Sequence, residues 1–82
     1  MEYFVYIIHS KSKNIYYTGL TSNIDRRIKE HNQHLSNTLT TKNVTDFELV
    51  FCQITRNRVE ARKLEKFLKS GYGREIRDEI VK

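Results

Sequence analysis

Apolar and polar positions alternate along this chain in blocks that define its elements. Tyr3 to Ile8 is a run of β-branched and aromatic residues, the composition of a largely buried strand. The polar stretch Ser10 to Asn14 turns the chain, and Ile15 to Leu20 returns as a second strand, giving an antiparallel hairpin. Strand alternation puts Phe4, Tyr6 and Ile8 on one face of the first strand and Ile15, Tyr17 and Gly19 on one face of the second. Tyr6 and Tyr17 are therefore expected to look the same way, with Tyr16, one residue out of phase, facing away.

A helix is expected to open near Ser22, with Asp25 three residues on in a variant capping box. Ile24, Ile28 and Leu35 form its buried stripe. Arg27 and His31 lie one turn apart on an adjacent face, where their side chains can act together. Asn32 to Asp46 is polar, threonine-rich and aperiodic, and reads as a loop suited to substrate contacts. Phe47 to Ile54 makes a third strand. Asn57 then caps a second helix, with Glu60 completing the box, Ala61, Leu64, Phe67 and Leu68 as its core stripe, and Gly71 ending it. Glu65 falls at the edge of that stripe, where a side chain can be half-buried yet reach a cleft. Arg74 to Val81 reads as a short terminal helix. The sum is one α+β domain over residues 1–82: a three-stranded, largely antiparallel sheet flanked by helices.

Composition narrows the function classes. Eighty-two residues allow one small core. A net charge of +5 fits a polyanionic partner, although many proteins without one share it. The single cysteine, Cys52, excludes an internal disulfide and a thiolate metal cluster, and its place in an apolar run suggests a buried, inert thiol. A reducing cytoplasm fits this usage. The first apolar run is too short for a signal peptide and is preceded by Glu2, and no run approaches a membrane span. Proline is absent, and there is no repeat or low-complexity tract.

Two strand tyrosines, followed by an arginine and a histidine on the next helix, suit gripping and cutting a phosphodiester. Arg27 offers a permanently charged fork matched to phosphate; the bland alternative is a solvated surface arginine, the reading that suits Arg26. His31 can donate to phosphate, orient water or shuttle a proton near neutral pH. His9 and His34 lack such company, and His31 with His34 at helical spacing finds no third ligand for a metal. Glu65 is set against a background of Lys63, Lys66 and Lys69, so by composition alone it is a solvated helix glutamate.

The order and spacing of these residues resemble the GIY-YIG nuclease family. Val5-Tyr6-Ile7 stands at the first of its two hairpin motifs and Tyr17-Thr18-Gly19 at the second. Arg27 and His31 match the arginine and the histidine four residues later on the first helix, and Glu65 in Leu64-Glu65-Lys66 matches the metal-binding glutamate after the third strand. Phe4 stands where the first motif has glycine, and Thr18 replaces the middle isoleucine of the second; neither removes a side chain expected to do chemistry. The tail Leu68 to Glu75 looks like that of small stand-alone bacterial members, and the likeness extends to the N-terminal catalytic domain of an excinuclease and to homing endonucleases.

The resemblance implies a metal-dependent endonuclease, acting on DNA, with Tyr6, Tyr17, Arg27, His31 and Glu65 as catalytic residues. Glu65 is the implied ligand of Mg²⁺, with Mn²⁺ as a substitute, since Mg²⁺ is often held by one or two carboxylates plus substrate phosphate. It also implies that a tyrosine activates or positions the attacking water: Tyr6 is the preferred base and Tyr17 its positioning partner. With a pKa of about 10, only about a thousandth of an ordinary tyrosine is ionised at neutral pH, so Arg27 and the metal are expected to favour the phenolate. The rival reading is a nucleic-acid-binding module with little catalysis, acting with a protein partner; its binding would be salt-dependent and indifferent to chelation. A purely structural domain predicts neither metal nor nucleic-acid dependence.

Overall fold

The computed structural model describes residues 2–32 and 45–80. Strands β1 (Tyr3–Ser10) and β2 (Ile15–Thr21) are followed by helix α1 (Ile24–Asn32), strand β3 (Phe47–Thr55), and helices α2 (Arg58–Lys69) and α3 (Gly71–Ile80). The sheet order is β2-β1-β3 and both pairings are antiparallel. The expected α+β architecture is therefore present. Leu35, His34, residues 33–44 of the expected loop and Val81 lie outside the described residues.

The most apolar strand, β1, sits in the middle, where both its faces are covered. Val5 and Ile7 meet Ala61 and Leu68 on one side; Tyr6 and Ile8 meet Phe47, Tyr17, Ile24 and Ile28 on the other. Thus α1 covers one face and α2 the other. Tyr6 lies opposite Gly19, and Ile8 opposite Tyr17, so the two tyrosines share a face as expected. Tyr16 packs with the α2-side cluster. A register shift between Ile7 and Ile8 inserts Val50 into β3 as an extra residue, a bulge that keeps Phe47 facing α1.

Four local expectations are corrected. The cap of α1 is Asn23, one residue past Ser22: its Oδ1 accepts from the Arg26 amide at 3.1 Å, while Thr21 Oγ1 accepts from the Asn23 amide and bends the chain first. Phe67 is largely exposed, and Glu65 takes its inward place on α2. At about 100° per residue, positions 61, 65 and 68 line up and position 67 falls well off that line. Gly71 does not end α2. Ser70 does so in extended conformation, bonding back to the Phe67 carbonyl, and its Oγ then accepts from Gly73 N, capping α3. Cys52 is exposed, because β3 is an outer strand and Cys52 lies beyond the cover of α1.

The Asn57 cap forms as expected, its Oδ1 accepting from the Glu60 amide at 2.9 Å. Gly73 has no room for a side chain: an added Cβ would collide with the Phe67 carbonyl and Leu68 backbone, so glycine is what lets α3 fold back against α2.

Candidate active site

On the α1 side of the sheet, Tyr6, Tyr17, Arg27 and His31 come together. The Tyr6 and Tyr17 ring centroids are 6.2 Å apart, and the His31 ring lies 4.7 Å from that of Tyr17. Tyr6 Oη is 3.0 Å from His31 Nε2, and both residues are 0% exposed. The Arg27 guanidinium lies beside the Tyr6 and Tyr17 phenols and reaches Glu30 at 3.8 Å. His31 is thus no flank histidine. It forms the bottom of the α1 core stripe below Ile24 and Ile28, edge-on to Phe47.

Two features hold this cluster. Gly19, opposite Tyr6, supplies space: a Cβ there would lie 2.7 Å from Tyr6 Oη and 2.9 Å from Tyr17 Cε1. Beyond His31, Asn32 pairs with Phe47 as a strand neighbour would, accepting from its amide at 2.8 Å and donating to its carbonyl at 3.2 Å. That pair ties the end of α1 to the start of β3.

Donor and acceptor inventory fixes the protons. Arginine only donates, so the Tyr6 oxygen accepts from Arg27, and its own proton needs an acceptor. His31 Nε2 is within reach, which puts the imidazole proton on Nδ1; Nδ1 is buried and has no partner among the described residues. Burial drives the His31 pKa down to about 4, with help from the Arg27 charge and opposition from Glu30, so the imidazole is neutral at physiological pH. Burial likewise raises the Tyr6 pKa to about 12, outweighing the Arg27 hydrogen bond that pulls it down. The phenolate expected from Arg27 is therefore not populated at rest. Burial works against the Arg27 charge, but its contacts with Tyr6 and Tyr17 win and hold its pKa up.

Glu65 arrives from the opposite layer. It lies on α2, is 9% exposed, and is near enough that its charge contributes to raising the Tyr6 pKa. Its Oε2 accepts from Lys69 Nζ at 3.2 Å, and its Oε1 is 3.8 Å from Arg62. Among the described residues, no three His, Cys, Asp or Glu side chains gather to form a protein cage for a metal. A lone buried carboxylate fits Mg²⁺ held by one protein ligand, waters and substrate phosphate, in competition with Lys69 and Arg62. Of the five residues expected from the sequence, Tyr6, Tyr17, Arg27 and His31 come together on the α1 side and Glu65 stands on α2. Lys69 and Asn32 were not foreseen as parts of the site, although Lys69, four residues after Glu65, carried a local signal as a helix ion pair; Gly19 stood in the second hairpin motif, but its packing against Tyr6 was not foreseen.

The GIY-YIG catalytic domain profile matches residues 2–77. A UPF0213 protein of Desulfotalea psychrophila is 39% identical over 67 residues, which span 82% of this chain and 60% of that protein. The chain therefore spans about three-fifths of that relative's length. The solution NMR structure of a UPF0213 protein from Bacillus halodurans superposes with a TM-score of 0.58 at 30% identity, covering 98% of this chain and 85% of that one.

Proposed function

The chain belongs to the GIY-YIG catalytic domain family, and from that premise we propose that it is a metal-dependent endonuclease that hydrolyses phosphodiester bonds in DNA. The observation that carries this reading is the buried Tyr6–His31 hydrogen bond beside Arg27, a proton path next to a fixed cation. No helix among the described residues is long and apolar enough to cross a membrane.

In this reading Arg27 binds the scissile phosphate and stabilises charge developing on its non-bridging oxygens. Tyr6 accepts the proton of the attacking water as its own proton passes to His31 Nε2, so no phenolate forms, and the phosphate held at Arg27 offsets the charge that otherwise opposes a protonated His31. The water oxygen bonds to phosphorus as the bond from phosphorus to the leaving oxygen breaks, and that oxygen departs with the bonding pair and takes a proton from solvent. Tyr17 packs against His31 and Tyr6 and keeps both rings in line. Glu65 would hold Mg²⁺ or Mn²⁺, and the bound cation would supply Lewis-acid charge stabilisation.

Nicking of supercoiled plasmid with Mg²⁺ or Mn²⁺, with and without EDTA, tests the reading. Glu65→Ala should abolish nicking while the protein stays folded by circular dichroism. Full activity in that variant, or nicking indifferent to EDTA, would sink the metal assignment. Tyr6→Phe keeps the ring and removes only the hydroxyl; it should slow single-turnover cleavage by about 10²–10⁴-fold.

A further inference from the structure

Beside the cluster lies a cavity whose cationic residues the proposed chemistry leaves unused. It has a volume of about 350 Å³ and is lined by Tyr16, Tyr17 and Thr18 of β2, Leu68 and Lys69 of α2, and Arg74 and Arg77 of α3. Because Tyr16 and Tyr17 point to opposite faces, the cavity runs along the open edge of β2. Two residues connect it to the candidate site. Tyr17 lines it and also meets the His31 ring, and Lys69 lines it while bonding to Glu65.

Its polar lining is cationic. The Arg77 guanidinium is not a loose surface group: it is 21% exposed and lies 4.3 Å over the Tyr16 ring, which fixes its plane. Its Nε is buried and has no hydrogen-bond partner among the described residues. Arg77 also donates through its terminal nitrogen to Asp78 at 3.4 Å on the exposed side, and Glu65 is already bonded by Lys69. A held guanidinium with an unanswered donor, joined by Arg74 and Lys69, has the chemistry of an anion site. Loading Glu65 with a cation would free Lys69 to add its charge.

We propose that this cavity binds a backbone phosphate of the substrate strand next to the one being cut, with Arg77 as its principal donor and Arg74 and Lys69 as supporting charges. The inference rests on the nuclease reading for its choice of ligand. It adds a positioning site: the strand is held at two phosphates, by Arg27 on one side of Tyr17 and by Arg77 on the other.

The test is binding of fluorescein-labelled single-stranded and hairpin DNA in EDTA, where nothing is cut, across a range of salt concentrations. Arg77→Gln and the exposed Arg74→Gln should each weaken binding regardless of sequence and flatten the plot of log affinity against log salt by about one unit. On duplex DNA, the drop in affinity between 50 and 200 mM salt should be about 3.5-fold smaller for the variant than for the native chain. Arg77→Lys should restore most of the slope. Native slopes in both glutamine variants, each shown folded by circular dichroism, would overturn the proposal. Because binding is read without metal, a chain that fails to nick plasmid but shows these slope changes would refute the nuclease and keep the phosphate site. Nicking with unchanged slopes would do the reverse.

Discussion

At the scale of single residues, His31 connects stability to pH. Its folded pKa of about 4 lies below the 6.5 of an exposed histidine, so the unfolded chain takes up the proton first. The full contribution is present above pH 6.5 and is lost as pH falls toward 4, to a total of about 3 kcal/mol. Urea midpoints at pH 7.5 and 4.5 should show this fall, and His31→Gln should reduce it. Gly19 acts by absence. Its Cβ would press on the fully buried Tyr6 ring, which has nowhere to move. Gly19→Ala should destabilise the fold by about 1–3 kcal/mol in urea unfolding and misplace the Tyr6 hydroxyl. Asp46 works elsewhere: Ser10 Oγ at 2.6 Å and the Ser12 amide hold its pKa down, pinning the hairpin turn to the start of β3.

At the scale of elements, the joint between α1 and β3 positions the histidine. Asn32 replaces a missing strand neighbour for Phe47, and through it the last turn of α1 is held against the sheet. Asn32→Ala would leave the amide and carbonyl of Phe47 without those partners, at a cost of about 1–3 kcal/mol. Since His31 is the preceding residue, cleavage should fall together with the urea midpoint, whereas a variant of Asn57, which caps α2, should move stability alone. Ser70 shows the same economy, serving as the end of one helix and the cap of the next.

At the scale of the whole molecule, the site is split between two layers. Tyr6, Tyr17, Arg27 and His31 belong to the α1 side, while Glu65 comes from α2 across the sheet and stands already paired with Lys69 and Arg62. A cation that binds Glu65 must displace those two charges. Glu65→Gln should therefore abolish Mg²⁺-induced stabilisation, read as a thermal shift, while Lys69→Gln, removing a competitor, should strengthen it.

Much of this was legible in the chain. The runs Tyr3 to Ile8 and Ile15 to Leu20 specify a hairpin because strand period is a local property, and the same period puts Tyr6 and Tyr17 on one face. Helical spacing likewise joins Arg27 to His31, and the Asn57 cap needs only its own turn. Cys52 and Phe67 were misread because exposure depends on which strand is outermost and on how a helix is rotated against its neighbours, and apolarity states neither. Helical spacing does set His31 on the stripe of Ile24 and Ile28, but nothing local gives Tyr6 its raised pKa or brings Glu65 near it. Those follow from burial and from contacts between residues far apart in the chain, and burial exists only once the sheet and both its covering layers are assembled.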